Sequence, residues 1–274
     1  MIAKVLSIAG SDPSGGAGVQ ADLKTFSALG VYGMAAVTAL TAQNTKGLRG
    51  LEFSAPSFVR AQLEAIFDDI AVHGVKIGMV GNAETAGAIA DVLEEFKPPN
   101  IVLDPVMVAS SGDSLIDADA VQVLKERLIP LADVLTPNIP EAERLFGLSL
   151  RGGEADAAIR FCMDCFADAR NDGLKAVLIK GGHMNGAQSI DVLATPSFTE
   201  SYSAPRILTA HTHGTGCTLS SAIAANLAKG MDLKEAVGSA KLYLTGAIKA
   251  GDTLGVGHGH GPVHHFYDAW KKNE

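Results

Sequence analysis

Short apolar runs that alternate with amphipathic stretches constrain the fold of this chain more than any other feature. The runs at 4–9, 34–40, 75–78, 101–103, 133–136 and 176–179 are short and rich in Val, Ile, Leu and Ala. Between them the apolar spacing turns helical. In 57–70 the repeat is Val59, Leu63, Ile66, Phe67 and Ile70, which makes one stripe of a helix that faces a core. The segments 83–96, 118–128, 140–146 and 154–170 behave alike. A strand that is apolar throughout has both faces covered, and strands separated by helices pair in parallel. The expectation is an α/β fold, with a mostly parallel sheet between two helical layers. At 189–194 and 198–203 two short strand patterns flank a turn and predict an antiparallel edge. Further helices are expected at 215–228 and 233–250. No repeat or linker interrupts the 274 residues, so 1–274 reads as one domain.

Composition enters where it narrows the partners. The net charge is −8 and no block is rich in Lys or Arg, which argues against nucleic-acid and anionic-membrane partners. No apolar run reaches the roughly 18 residues a membrane span needs. The first strand is too short for a secretory signal, and Asp12-Pro13 comes directly after it. Three cysteines do not make a disulfide framework, and a reducing cytoplasm fits them.

The residues just beyond each strand carry the functional information. A loop from Gly10 to Gly18 succeeds the first strand, and Thr41, Gln43 and Asn44 succeed the second. Met79 comes after the third, Asp104-Pro105 after the fourth, Pro137-Asn138 after the fifth and Lys180-Gly-Gly-His183 after the sixth. Open parallel sheets bind ligands beyond the carboxyl ends of their strands. Turns at strand ends need Gly and Pro anyway, but they do not need Gln43, Asp104 and Lys180 together. One large site on that edge is expected.

The first glycine loop holds G-x-G-x-x-A at Gly16, Gly18 and Ala21. A dinucleotide site would add an acidic residue about 20 positions on. No Asp or Glu lies between Asp22 and Glu52, which leaves a backbone that a small ligand can approach closely. The second glycine turn, HTHGTGC at 211–217, leads into a helix. There the N–H groups from Gly214 through Thr215 and Gly216 to Cys217 form an anion site or, alternatively, an ordinary glycine-softened helix start. A helix N-terminus lowers a thiol's pKa, so Cys217 is expected to be acidic enough to accept a hydroxyl proton. Asp104 and Glu141 are hard oxygen donors of the kind that hold Mg²⁺ on nucleotide phosphates. Asn138 and Glu141 equally fit a helix cap with a first-turn carboxylate. Lys180 supplies a cation for a transferring phosphate. Cys162 and Cys165 form a C-x-x-C between Phe161 and Phe166 in mid-helix and read as packing cysteines. The histidines at 258, 260, 264 and 265 lack companion ligands and read as a turn that covers the domain.

Taken together, these stretches resemble the hydroxymethylpyrimidine/phosphomethylpyrimidine kinases of thiamine biosynthesis. The resemblance lies in 8–24, 38–45, 76–79, 103–107, 136–141, 180–183, 212–217 and 261–266. It implies a ribokinase-like α/β/α sandwich and a homodimer. It also implies two ATP-dependent steps, which phosphorylate 4-amino-5-hydroxymethyl-2-methylpyrimidine and then its phosphate. By matching positions, Gly10, Ala17, Asp22, Gln43, Met79 and Val106 would line the pyrimidine pocket, where Gln43 can both donate and accept. Gly214–Cys217 would be the anion hole. Lys180, Asn138, Glu141 and Asp104 would serve Mg²⁺–ATP. Pyridoxal kinases of the same fold, and a binder without catalysis, are the competing readings. In the second step the nucleophile is already anionic; a carboxylate at 217 would repel it, whereas a neutral thiol admits it.

Overall fold

A computed structural model describes residues 1–108, 116–148, 160, 162–164, 174–183 and 186–270. The strands are β1 (Lys4–Ser11), β2 (Tyr32–Asn44), β3 (Gly47–Phe53), β4 (Gly74–Ile77), β5 (Ile101–Leu103), β6 (Val134–Leu135), β7 (Ala176–Ile179), β8 (Gln188–Ala194) and β9 (Thr199–Pro205). The main helices are α1 (Gly18–Ala28), α2 (Pro56–Phe67), α3 (Ala83–Phe96), α4 (Ala118–Val123), α5 (Ile139–Phe146), α6 (Thr215–Ala228) and α7 (Leu233–Lys249). The strands join one sheet in the order β3-β2-β1-β4-β5-β6-β7-β8-β9. The pairs from β2 through β7 are parallel.

Residue alternation along the strands explains the two helical layers. Leu6 and Ile8 of β1 face one side and Val5 the other; Ile101 and Leu103 of β5 are likewise split from Val102. The first side packs on α2, α3, α4 and α5 through residues such as Leu63, Ile89, Leu93 and Leu145. The second packs on Phe26 of α1 and on α6 and α7 through Leu219, Ile223 and Val237. The result is the expected three-layer sandwich.

The predicted antiparallel edge exists, with β8 antiparallel to both β7 and β9. A second one is not visible in the sequence: β3 pairs antiparallel with β2 at the opposite edge, across a bulge at Ala42/Gln43. β3 reads GLRGLEF, and none of its residues is fully buried. An edge strand with two half-wet faces carries no apolar pattern. The helix expected at 118–128 continues α4 as a π-turn over Leu124–Leu128. Of the helix expected at 154–170 only residues 160 and 162–164 are described, and Cys165 lies outside the described residues.

Strand order sets the site. β1 connects to β2 on one side, and the chain then returns to place β4 on the other side of β1. The crevice beyond the carboxyl ends at such a reversal is where open α/β sheets bind ligands. The loop after β1 and the N-terminus of α6 both lie there.

Candidate active site

The Gly10–Gly18 loop is organised by Asp12, which is almost fully buried. Its Oδ1 accepts from Ser14 N at 2.9 Å, and its Oδ2 accepts from Ala17 N at 2.9 Å, Gly16 N at 3.2 Å and Ser14 Oγ at 3.0 Å. His213 Nε2 closes the set at 2.7 Å. Burial works against the charge, but the hydrogen bonds from His213 and Ser14 hold the Asp12 carboxyl below its ordinary value. Asp12 thereby joins the first glycine loop to the HTHGTGC turn, 201 residues away.

That turn is built on close backbone approach. Gly214 is the N-cap of α6, with φ of 80° and ψ of 11°. A Cβ there would lie 1.8 Å from the Gly16 carbonyl oxygen. Only glycine combines a left-handed backbone with that proximity. Gly261 supports the turn from behind, since its carbonyl accepts from His213 N at 3.0 Å. The histidine-rich stretch thus braces the site. His260 N donates to the Thr45 carbonyl at 2.8 Å and His265 Nε2 lies 3.1 Å from Thr218 Oγ1. Among the described residues no three His, Cys, Asp or Glu side chains group as a metal cage.

One cavity of about 800 Å³ runs along this edge, within the range that encloses a small ligand with a cofactor. Gly10, Ala17, Gln43, Met79 and Val106 line one part. Gly214, Thr215, Gly216 and Cys217 line the cavity too, with Lys180, Asp104, Glu141 and Asn138; a Cβ on Gly216 would lie 3.4 Å from Lys180 Nζ and 3.5 Å from Asp104 Oδ2. Leu219, Leu244 and Ile248 also line it, as does Lys241, whose Nζ bonds Asp191 Oδ2 at 2.8 Å.

Lys180 Nζ donates to Asp104 Oδ1 at 2.5 Å and stands 3.7 Å from Glu141 Oε2. Burial opposes its charge, but Asp104 and Glu141 raise it above the ordinary lysine value, so it is a fixed cation. Asp104 also accepts from Thr136 Oγ1 at 3.2 Å and Ser220 Oγ at 3.3 Å. Asn138 and Glu141 do form the capping box of α5: Asn138 Oδ1 accepts from Glu141 N at 2.9 Å, and Glu141 Oε2 accepts from Asn138 N at 2.7 Å. The cap and the site share the same atoms. Burial, with Asp104 adding to it against the pull of Lys180, raises the Glu141 carboxyl.

Two expectations are corrected. Asp22 does not line the cavity. Its side chain is fully buried between α1, α6 and the interior strands β1 and β4, where Lys76 Nζ, Ser7 Oγ and Ser221 Oγ all bond its carboxylate. The thiol of Cys217 is not acidic either. Burial pushes it up to about 11, and Asp22 and Asp104 add to the rise against Lys76 and the Gly18 backbone. Desolvation and two carboxylates outweigh Lys76 and the Gly18 amide here, which favours the neutral thiol.

Sequence reasoning alone misses Asp12, His213 and Lys76. Asp12 two residues before Ser14 carries a local signal, since Asp side chains bond the backbone two residues on. Lys76 and His213 find their partners 54 and 201 residues away and carry none.

The family model described as phosphomethylpyrimidine kinase matches residues 12–264. A hydroxymethylpyrimidine/phosphomethylpyrimidine kinase of Rhizobium meliloti is 53% identical over 272 residues, covering 99% of this chain and all of that protein. The crystal structure of a phosphomethylpyrimidine kinase from Clostridium difficile is 43% identical, with a TM-score of 0.78 over 90% of this chain and 99% of that one. An ADP complex of a Bacillus subtilis pyridoxal kinase is 36% identical, with a TM-score of 0.88 over 99% of this chain and 100% of that one.

Proposed function

The chain belongs to the phosphomethylpyrimidine kinase family, and from that premise we propose that it phosphorylates 4-amino-5-hydroxymethyl-2-methylpyrimidine with ATP and then phosphorylates the product to the diphosphate, for thiamine diphosphate biosynthesis. The observation that carries this reading is a single cavity that joins Gln43, Met79 and Val106 to the anion-binding turn and to Lys180 with its carboxylates.

Gly10, Ala17, Met79 and Val106 take the faces of the ring, and Gln43 takes its polar edge. The apolar side chains of Leu219, Leu244 and Ile248 take the adenine. The N–H groups from Gly214 to Cys217 meet the γ-phosphoryl group, where charge grows during transfer. Lys180, aimed by Asp104, neutralises the same phosphate. Asn138 holds the start of α5 beside it. Transfer through a loose transition state asks little of a base. The neutral thiol of Cys217 suits both nucleophiles, an alcohol that loses its proton late and a phosphate oxygen with no proton to lose.

The residues present fit a magnesium ion carried by the nucleotide. Such an ion needs one or two carboxylates, with phosphate and water oxygens for the rest. Asp104 and Glu141 would hold it, and it would there neutralise phosphate charge. Among the described residues no helix is long and apolar enough to cross a membrane, and Cys162 and Cys217 are both unpaired. A homodimer in the reducing cytoplasm completes the proposal. Hydroxymethylpyrimidine, its monophosphate and pyridoxal, each with Mg²⁺–ATP, test it. Diphosphate formed from the monophosphate supports the reading; phosphorylation of pyridoxal alone overturns it.

A further inference from the structure

Two lysines are held beside the anion-binding turn. Ser220 and Ser221, successive residues of α6, each donate to a different carboxylate. Ser220 Oγ bonds Asp104 Oδ2 at 3.3 Å, and Ser221 Oγ bonds Asp22 Oδ1 at 2.7 Å. Asp104 holds Lys180, and Asp22 holds Lys76 Nζ at 3.0 and 2.9 Å. Lys180 has its place in the phosphate site. Lys76 and Asp22 have no such role, although both side chains are 0% exposed. Ser7 Oγ, 2.6 Å from Asp22 Oδ2, completes their bonds.

A buried ion pair is a poor stabiliser. Both ions lose water, and well-packed apolar residues of the same volume are often as stable or more so. Yet this pair borders the reacting centre. Lys76 and Cys217 share the cavity wall. Gly78, two residues on, leaves room for the ammonium, since a Cβ there would lie 2.7 Å from Nζ. Asp22 is tied to α6 one turn beyond Cys217. The ionic groups that act on Cys217 are Lys76, Asp22, Asp104 and Lys180, and the pull of Lys76 exceeds the opposing push of Asp22.

We propose that Lys76 is a positioning residue for phosphoryl transfer: its ammonium, aimed by Asp22, Ser7 and Ser221, favours negative charge at the N-terminal turn of α6 and helps to seat the phosphate that reacts there. The proposal rests on the kinase reading of the site. It assigns the pair a sign as well as a place. Lys76 belongs to the cavity wall that Cys217 shares, whereas Asp22 does not.

Three variants read that sign. Lys76→Met removes the cation, Asp22→Asn keeps it and removes the counter-ion, and the double variant removes both. The thiolate of Cys217 is the form that iodoacetamide modifies, and mass spectrometry follows that one residue at fixed pH. Modification slows about tenfold in Lys76→Met, the size of one pKa unit, and speeds up in Asp22→Asn. A pair that merely holds the fold together moves both variants in the same direction, by loosening. The double variant leaves no unpaired charge, so it carries the test if a single variant does not fold. Its melting temperature stays near that of the unaltered protein, while kcat/KM for the monophosphate falls about tenfold against that for the alcohol. Changes of the same sign in the two single variants overturn the proposal, as does a double variant with the unaltered ratio of the two steps. Failure of the unaltered protein to phosphorylate either pyrimidine defeats the kinase reading instead, and the modification rates then still judge Lys76.

Discussion

Gly214→Ala tests whether the proposed anion-binding turn works by its position. At φ of 80° and ψ of 11° any side chain costs about 1–2 kcal/mol. The new Cβ would also lie 1.8 Å from the Gly16 carbonyl oxygen and 3.2 Å from Ala17 Cα. Both are backbone atoms, which cannot swing aside. A close carbon–oxygen contact keeps about 3.3 Å, so the two glycine loops must part by roughly 1.5 Å. Misplacement by about 1 Å near a reacting centre costs about 10²-fold, and loss of one donor to a developing anion costs about 10²–10³-fold. The expected kcat is lower by about 10²–10³-fold in both phosphorylation steps, with a melting temperature only a few degrees lower. Gly230→Ala is the control. Its φ is also positive, at 89°, but nothing lies within 4 Å of its Cβ position, and it sits beyond the far end of α6. It bears the same conformational cost without the clash, so it loses stability and keeps kcat. Steady-state kinetics for each step and thermal melts of both variants decide the matter. A Gly214→Ala enzyme with nearly full kcat, or a Gly230→Ala enzyme that is equally impaired, refutes the reasoning.

Asp12→Asn removes the hub between the two glycine loops and costs about 1–3 kcal/mol near neutral pH. The folded carboxyl lies below its ordinary value of 3.8, so its contribution is complete above the unfolded pKa and is lost as pH falls through the folded one. Urea titrations at several pH values should therefore show the gap between Asp12→Asn and the unaltered protein narrowing below about pH 4; a constant gap contradicts the assignment. Gln43→Ala raises KM for the pyrimidine about 10–100-fold, the cost of leaving polar ring atoms unpaired, and leaves KM for ATP nearly unchanged; parallel changes in both refute a ring-edge role.

The sequence is most informative where physics is local. The apolar runs at 101–103 and 176–179 coincide with β5 and β7 because a buried parallel strand is apolar on both faces. The glycines of HTHGTGC announce a turn before a helix, and α6 begins at Thr215. Legibility fails where the cause is distant or where burial decides. Asp22 sits beside the first glycine loop in sequence, yet its partner Lys76 is 54 residues away and draws it beneath the cavity. Cys217 has the helix terminus of an acidic thiol, but its pKa is raised by desolvation, with Lys76 on β4 pulling against carboxylates on α1 and beyond β5. β3 is hidden by its half-wet faces, and the partners of the covering turn, Thr45 against Gly257 and Gly259 and His211 against Gly261, leave no local signal.

The proposed role of a neutral Cys217 is to let one site use an alcohol and then a phosphate, and Cys217→Asp tests it most directly. Two unit charges about 4 Å apart repel by about 4 kcal/mol at an effective dielectric of about 20, close to 10³-fold in rate. An aspartate would also join Asp22 and Asp104, which already disfavour negative charge at that position. Single-turnover rates of the two phosphorylations, measured separately in Cys217→Asp, should show the monophosphate step falling about 10²–10³-fold further than the alcohol step. Equal losses in the two steps would contradict the role assigned to the thiol.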